Sequence, residues 1–176
     1  MHLSYGLAFC IVVIGYVFAL SSFAKLKDLS TYIKSVSNFR LLPPALVLIS
    51  AIFFLLCEML TAILLVFWPM AAFALAATML TLFSIALASV LIRRIDTTCN
   101  CFGASNNTIS GADLVRNAGL FICACAGLYL TIGTYSLGQI SLLEWIIIGV
   151  FGSVVVMLWT QLGEIWRLLA ITLQPN

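Results

Sequence analysis

Residues 44–67 read PALVLISAIFFLLCEMLTAILLVF, an unbroken apolar run with one charged-type residue, Glu58. A hydrocarbon core about 30 Å thick needs about 20 consecutive apolar residues to be crossed by a helix, so this stretch predicts a membrane span. Pro43-Pro44 can start it, because a first-turn proline lacks only an N–H that would have no helical partner. Trp68-Pro69 then makes a short uncharged connection to a second apolar run over residues 70–92. Upstream, residues 3–24 form another apolar run. Between it and Pro43, Leu29, Tyr32, Ile33 and Val36 recur at helical spacing among Lys34, Ser35, Asn38 and Arg40, the pattern of an interfacial amphipathic helix. Downstream, Arg93-Arg94-Ile95-Asp96 marks an exit from the bilayer, and residues 97–112 are rich in Thr, Ser, Asn and Gly. Ser110 with Asp113, and Ser141 with Glu144, carry capping-box spacing ahead of apolar runs over 112–131 and 142–160. The tail, 161–176, is short and amphipathic.

Composition agrees. The 176 residues are 64% hydrophobic and 8% charged, with a mean hydropathy of +1.20, whereas soluble domains carry about 25% charged residues. The expected fold is an all-α membrane protein: a four-helix transmembrane bundle plus a fifth span, with an amphipathic helix between spans 1 and 2. Residues 1–176 are expected to form a single integral membrane domain. The N-terminal run lacks a basic leader and exceeds the usual length of a signal-peptide core, so it reads as a retained span. A net charge of +2, with no basic patch, argues against nucleic acid as a partner.

Within the long polar connection lies Cys99-Asn100-Cys101-Phe102-Gly103. Two thiols at i and i+2 can close a strained ring, and strain raises the reduction potential, so such a bond is readily passed on. Gly103 permits backbone conformations closed to other residues and the approach of a partner chain, while Phe102 can anchor the loop at the membrane surface. Arg93, Arg94 and the following helix N-terminus supply positive potential that favours thiolate. A structural disulfide and half of a metal site are the competing readings. A metal would need further soft or imidazole ligands, yet the sole histidine, His2, is expected at the opposite face, so no metal is expected.

The other cysteines lie within spans, where a thiol is ordinarily a small hydrophobe. Cys10, Cys57 and the Cys123 and Cys125 pair nonetheless fall at similar depth, which leaves a thiol cluster open. On one helix, Cys123 and Cys125 are about 200° apart, so at most one of them can face a given partner. Glu58, near mid-membrane, is costly there and should face the bundle interior. With no cation evident at its depth, it is expected to be protonated, serving proton transfer, a ring ligand or helix fastening. Lys25 ends the first run and reads as a snorkelling lysine, unless a negative group stands beside it.

Ser22-Phe23-Ala24-Lys25-Leu26, Leu41-Leu42-Pro43, Glu58, Cys99-Asn100-Cys101-Phe102-Gly103 and Arg116-Asn117, in this order and spacing, resemble the MauE family of methylamine utilisation within the DoxX-like membrane proteins. The resemblance covers roughly the first 130 residues. It implies a redox-associated membrane protein that helps an exported, disulfide-rich subunit, such as that of a methylamine dehydrogenase, to mature beside a thioredoxin-like partner. Cys99 and Cys101 would be the catalytic pair, with Phe102, Gly103, Glu58, Lys25 and Arg116 supporting. The DoxX-like group also resembles quinone-linked disulfide-forming enzymes in gross layout. This chain has Cys-x-Cys where those have Cys-x-x-Cys, and no cysteine pair in its first loop, so a quinone stands as an option and no cofactor is required.

The expected location is a bacterial cytoplasmic (inner) membrane, crossed several times. All eight Lys and Arg residues fall on the side of the Cys-x-Cys loop, which argues for a cytoplasmic loop. Disulfide persistence and the exported client argue for the outer, periplasmic face, which is favoured slightly. The leading functional expectation is a thiol–disulfide relay, a thiol–disulfide oxidoreductase if it is an enzyme. A non-catalytic assembly factor for a client protein is the alternative, and a small transporter using Glu58 is a third reading.

Overall fold

The structure is a computed structural model that describes residues 2–41, 43–93, 111–133 and 140–161. Among the described residues the chain forms six helices in the order α1 (His2–Lys27), α2 (Leu29–Asn38), α3 (Pro44–Phe67), α4 (Pro69–Ile92), α5 (Gly111–Ile132) and α6 (Leu142–Thr160). Five of them, all but α2, are long and apolar enough to cross a membrane. The protein is an all-α, multi-pass membrane protein, as the composition requires.

Helix ends follow local chemistry. Pro44 and Pro69 sit in the first turns of α3 and α4, and Trp68 alone joins the two helices. Ser141 and Glu144 complete a reciprocal capping box at the start of α6, with Oε2 of Glu144 accepting from the Ser141 amide at 2.7 Å. The corresponding Ser110 lies outside the described residues, as does the tail beyond residue 161.

α1 is mostly apolar and central. It packs against α3, α5 and α6, whereas α6 presents most of its surface outward. The core runs along α1 through Leu7, Val13, Ile14, Val17 and Phe18 into Phe73, Ala76 and Leu80 of α4 and Leu120 and Ala124 of α5. Small residues set how closely the helices approach, as expected where lipid supplies no hydrophobic drive for helix association. A methyl group on Gly127 would lie 2.4 Å from the Phe73 ring, and one on Gly119 would lie 2.4 Å from the Trp159 indole.

The amphipathic α2 folds down beside α3, where Tyr32 packs with Ala51 and Leu55 and is flanked by Leu29, Ile33 and Val36. Its N-terminus is capped by Asp28, which accepts from the Thr31 amide at 3.1 Å and the Ser30 hydroxyl at 3.0 Å. Hydrogen bonds from Thr31, and then from Ser30, hold the Asp28 carboxyl below its ordinary pKa. A depressed folded-state pKa means that the cap's stabilisation is present above the usual aspartate range and is lost as pH falls through the lowered value. The acid limb of the unfolding midpoint against pH is therefore expected to flatten in Asp28→Asn. Identical acid limbs in the two proteins would refute the cap's role.

Candidate functional site

Four of the polar residues that the fold buries, Ser21, Lys25, Glu58 and Asn117, gather where α1, α3, α4 and α5 meet. Glu58 sits roughly 21 Å along α3 from Pro44 and roughly 14 Å from Phe67, at about 1.5 Å per residue. Its Oε1 pairs with the Lys25 ammonium, and its Oε2 accepts from the Ser21 hydroxyl at 3.3 Å. Both side chains of the ion pair are at most 2% exposed. Ser21 and Lys25 stand one turn apart on α1 and so present their polar atoms to the same carboxylate. The ammonium also faces aromatic rings, 4.9 Å from the centroid of Tyr32 and 5.3 Å from that of Phe83, both within cation–π range.

Two sequence expectations are corrected by this geometry. Lys25 does not snorkel to a membrane surface: α1 continues to Lys27 instead of ending near residue 24, and Tyr32 of α2 and Phe83 of α4 flank the ammonium. Glu58 does not lack a cation, because Lys25 is its partner. Counting residues from the span ends had put the two at different depths. Of the last turn of α1 only Lys25 is buried, its neighbours Leu26 and Lys27 being exposed.

Beside the ion pair lies a cavity of about 50 Å³, room for a few water-sized molecules. Ser21, Lys25, Glu58, Arg116 and Asn117 supply its polar wall, and Phe39, Phe83 and Leu87 lie among its apolar residues. Arg116 is steered by Asp113 one turn earlier on α5, with Nη1 3.1 Å from Oδ1. Asn117 donates through its amide to the Leu80 carbonyl at 3.2 Å and the Ser84 hydroxyl at 3.1 Å, fastening α5 to α4. Trp159 of α6 donates its indole N–H to the Arg116 carbonyl at 3.0 Å, which fixes the backbone from which Arg116 projects.

Three of the site residues expected from sequence, Lys25, Glu58 and Arg116, therefore share one cavity wall. The other four, Cys99, Cys101, Phe102 and Gly103, lie outside the described residues. Sequence reasoning did not single out Ser21, Tyr32 or Phe83. The recurrence of Ser21 and Lys25 four residues apart, on an otherwise apolar helix, was the available signal. Among the described residues, no three His, Cys, Asp or Glu side chains gather as a metal would need.

The span cysteines are free thiols. Of these, Cys10 is buried in the core on α1, and Cys123 of α5 packs against the same core. Cys57 borders the same apolar core, and its carbonyl accepts from the Thr61 hydroxyl at 2.7 Å.

No curated protein and no solved structure matches the chain. The family model described as methylamine utilisation protein MauE matches residues 3–130, from the start of α1 to the last turns of α5. The match takes in Lys25, Glu58, the Cys-x-Cys connection and Arg116, and leaves α6 outside. It covers well over half of the chain, which thus belongs to the methylamine utilisation protein MauE family.

Proposed function

We propose that this protein is a membrane thiol–disulfide relay of methylamine utilisation, supporting disulfide formation in an exported protein such as a methylamine dehydrogenase subunit. One observation supports this reading above the others. The connection carrying Cys99 and Cys101 leaves α4 and enters α5, and these two helices contribute Leu87 and Arg116 to the wall of the ion-paired cavity. The thiol pair is thus joined through the chain, on both sides, to helices that the Asn117 hydrogen bonds fasten together, and sites carried by fixed elements present their reactive groups more reproducibly.

The chemistry is thiol–disulfide exchange. A loop thiolate attacks one sulfur of a disulfide in a thioredoxin-like partner, and the other partner sulfur leaves as thiolate. The second loop thiol, deprotonated, then displaces the partner, leaving Cys99 and Cys101 oxidised and the partner reduced. Attack by a client thiolate runs the same two steps on the loop disulfide, so two electrons pass from the client to the loop. Phe102 and Gly103 shape the loop for that approach. Lys25 and Glu58 join α1 to α3, and Arg116 lies on α5, the helix that the loop enters.

Cys99→Ser and Cys101→Ser test this directly. One of the single variants is expected to accumulate a reducible covalent adduct with the partner, and the double variant to lose client disulfide formation. Normal client oxidation in the double variant refutes the relay and leaves a non-catalytic assembly factor. For a loop on the outer face of a bacterial inner membrane, an impermeant maleimide should label both thiols in intact cells. Labelling only after lysis would put the loop on the cytoplasmic side.

A further inference from the structure

Among the described residues, α5 and α6 each pack along α1 but scarcely on each other, and between them lies a cleft of about 190 Å³. Phe9, Val13 and Val17 of α1 form its floor, Cys123 of α5 stands on one wall, and Val155 and Trp159 of α6 stand on the other. At one end the Phe9 ring meets Phe151 of α6, their centroids 5.9 Å apart. At the other end Trp159 closes against α5, where a methyl group on Gly119 would lie 2.4 Å from the indole. The Trp159 N–H donates to the Arg116 carbonyl at 3.0 Å, and the Thr160 hydroxyl, on the same wall, donates to the Met157 carbonyl at 2.9 Å. Apart from the thiol, the polar side chains of the wall are thus already hydrogen-bonded, and the cleft offers hydrocarbon to whatever fills it.

We propose that this cleft seats one acyl chain of a bilayer phospholipid as a fixed part of the folded protein. The inference does not depend on the loop thiols. The floor runs from Phe9 to Val17, roughly 12 Å along α1 at about 1.5 Å per residue, and lies in the interior of a span, so the medium around it is lipid chain and not water. Its volume exceeds the roughly 150 Å³ of an apolar cavity that takes up benzene, whereas packed interiors leave few voids larger than a water molecule. A ligand headed by a polar or charged group would find no partner for that group on this wall. A phospholipid chain needs none, because its headgroup stays at the membrane surface while the methylenes enter sideways between α5 and α6.

The seated chain supplies packing that the protein itself lacks. Of the five spans, α6 is the least buried inside the protein, and an empty cleft would leave one side of it without dispersion contacts. Trp159 borders the cleft and also holds the backbone of Arg116. A chain lying against the indole therefore steadies the turn of α5 from which Arg116 reaches the ion-paired cavity.

The test uses the full chain, reconstituted in vesicles of a single phosphatidylcholine and then transferred to dodecyl maltoside. Native mass spectrometry is expected to find one phosphatidylcholine retained on most chains, and Val155→Phe, which places a ring in the cleft, to lose that added mass. The thiols give an independent reading. Alkylation of Cys123 by N-ethylmaleimide, followed by peptide mass, should be slower in the lipid-loaded chain than after the lipid is stripped with excess detergent. Cys125, about 200° away on the same helix, should react at one rate throughout. If Val155→Phe does not fold, the Cys123 rates decide. A chain that emerges without phospholipid, or with detergent or a fatty acid in its place, overturns the proposal. So does a phospholipid held equally by Val155→Phe, or a Cys123 that reacts at the same rate loaded and stripped.

Discussion

Lys25→Met should destabilise the bundle by about 3–5 kcal/mol, the cost of removing one member of a buried ion pair and leaving its partner charged and unpaired. The Glu58 carboxylate would keep only the 3.3 Å hydrogen bond from Ser21. Its burial, at 2% exposure, limits replacement of the lost ammonium to the few water-sized molecules that the adjoining cavity can hold. Glu58→Leu should cost a similar amount, because it strands the ammonium between the Tyr32 and Phe83 rings. The double variant Lys25→Met with Glu58→Leu should recover most of the loss, since an apolar pair of similar volume removes both desolvation penalties at once. Unfolding of the four proteins in one detergent gives the coupling. Single variants as stable as wild type would show that the pair adds no net cohesion.

The second large effect is steric. Gly127→Val is expected to cost about 1–3 kcal/mol, the range for forcing extra carbon into a filled core. Its new Cβ would meet the Phe73 ring at 2.4 Å, and Phe73 is fully buried, so the ring has no open side to move towards. α4 and α5 must then separate, and with them the Asn117 hydrogen bonds to Leu80 and Ser84. Phe73→Leu in the same chain should return part of the loss by shortening the side chain that the valine strikes. If Gly127→Val unfolds at the wild-type midpoint, the close α4–α5 contact described above is wrong.

The transmembrane architecture was legible because each span is a local property. Residues 44–67 must bury their backbone polar groups in hydrocarbon, and a helix does so whatever its neighbours are. The amphipathic α2 could likewise be read from Leu29, Tyr32, Ile33 and Val36, and the cap of α6 from Ser141 and Glu144. The site was less legible. Glu58 and Lys25 each stood out by residue type, but depth counted from span ends assumes that every helix reaches the surface at its last residue. The Tyr32 and Phe83 rings cover Lys25 near the end of α1, so a lysine read as an interfacial anchor is instead the counter-ion of a buried carboxylate.

Sequence was enough to establish a five-span helical membrane protein with a short amphipathic insert and a Cys-x-Cys connection, since hydropathy and capping act over one to a few turns. Which polar side chains meet depended on how α1, α3, α4 and α5 are rotated and offset against one another. That arrangement follows from close approach at Gly119 and Gly127 and from the fill of the core around Phe73. Packing of this kind joins residues 33 apart for Lys25 and Glu58, and 139 apart for Tyr5 and Glu144. Periodicity along a single helix carries no record of such distant contacts.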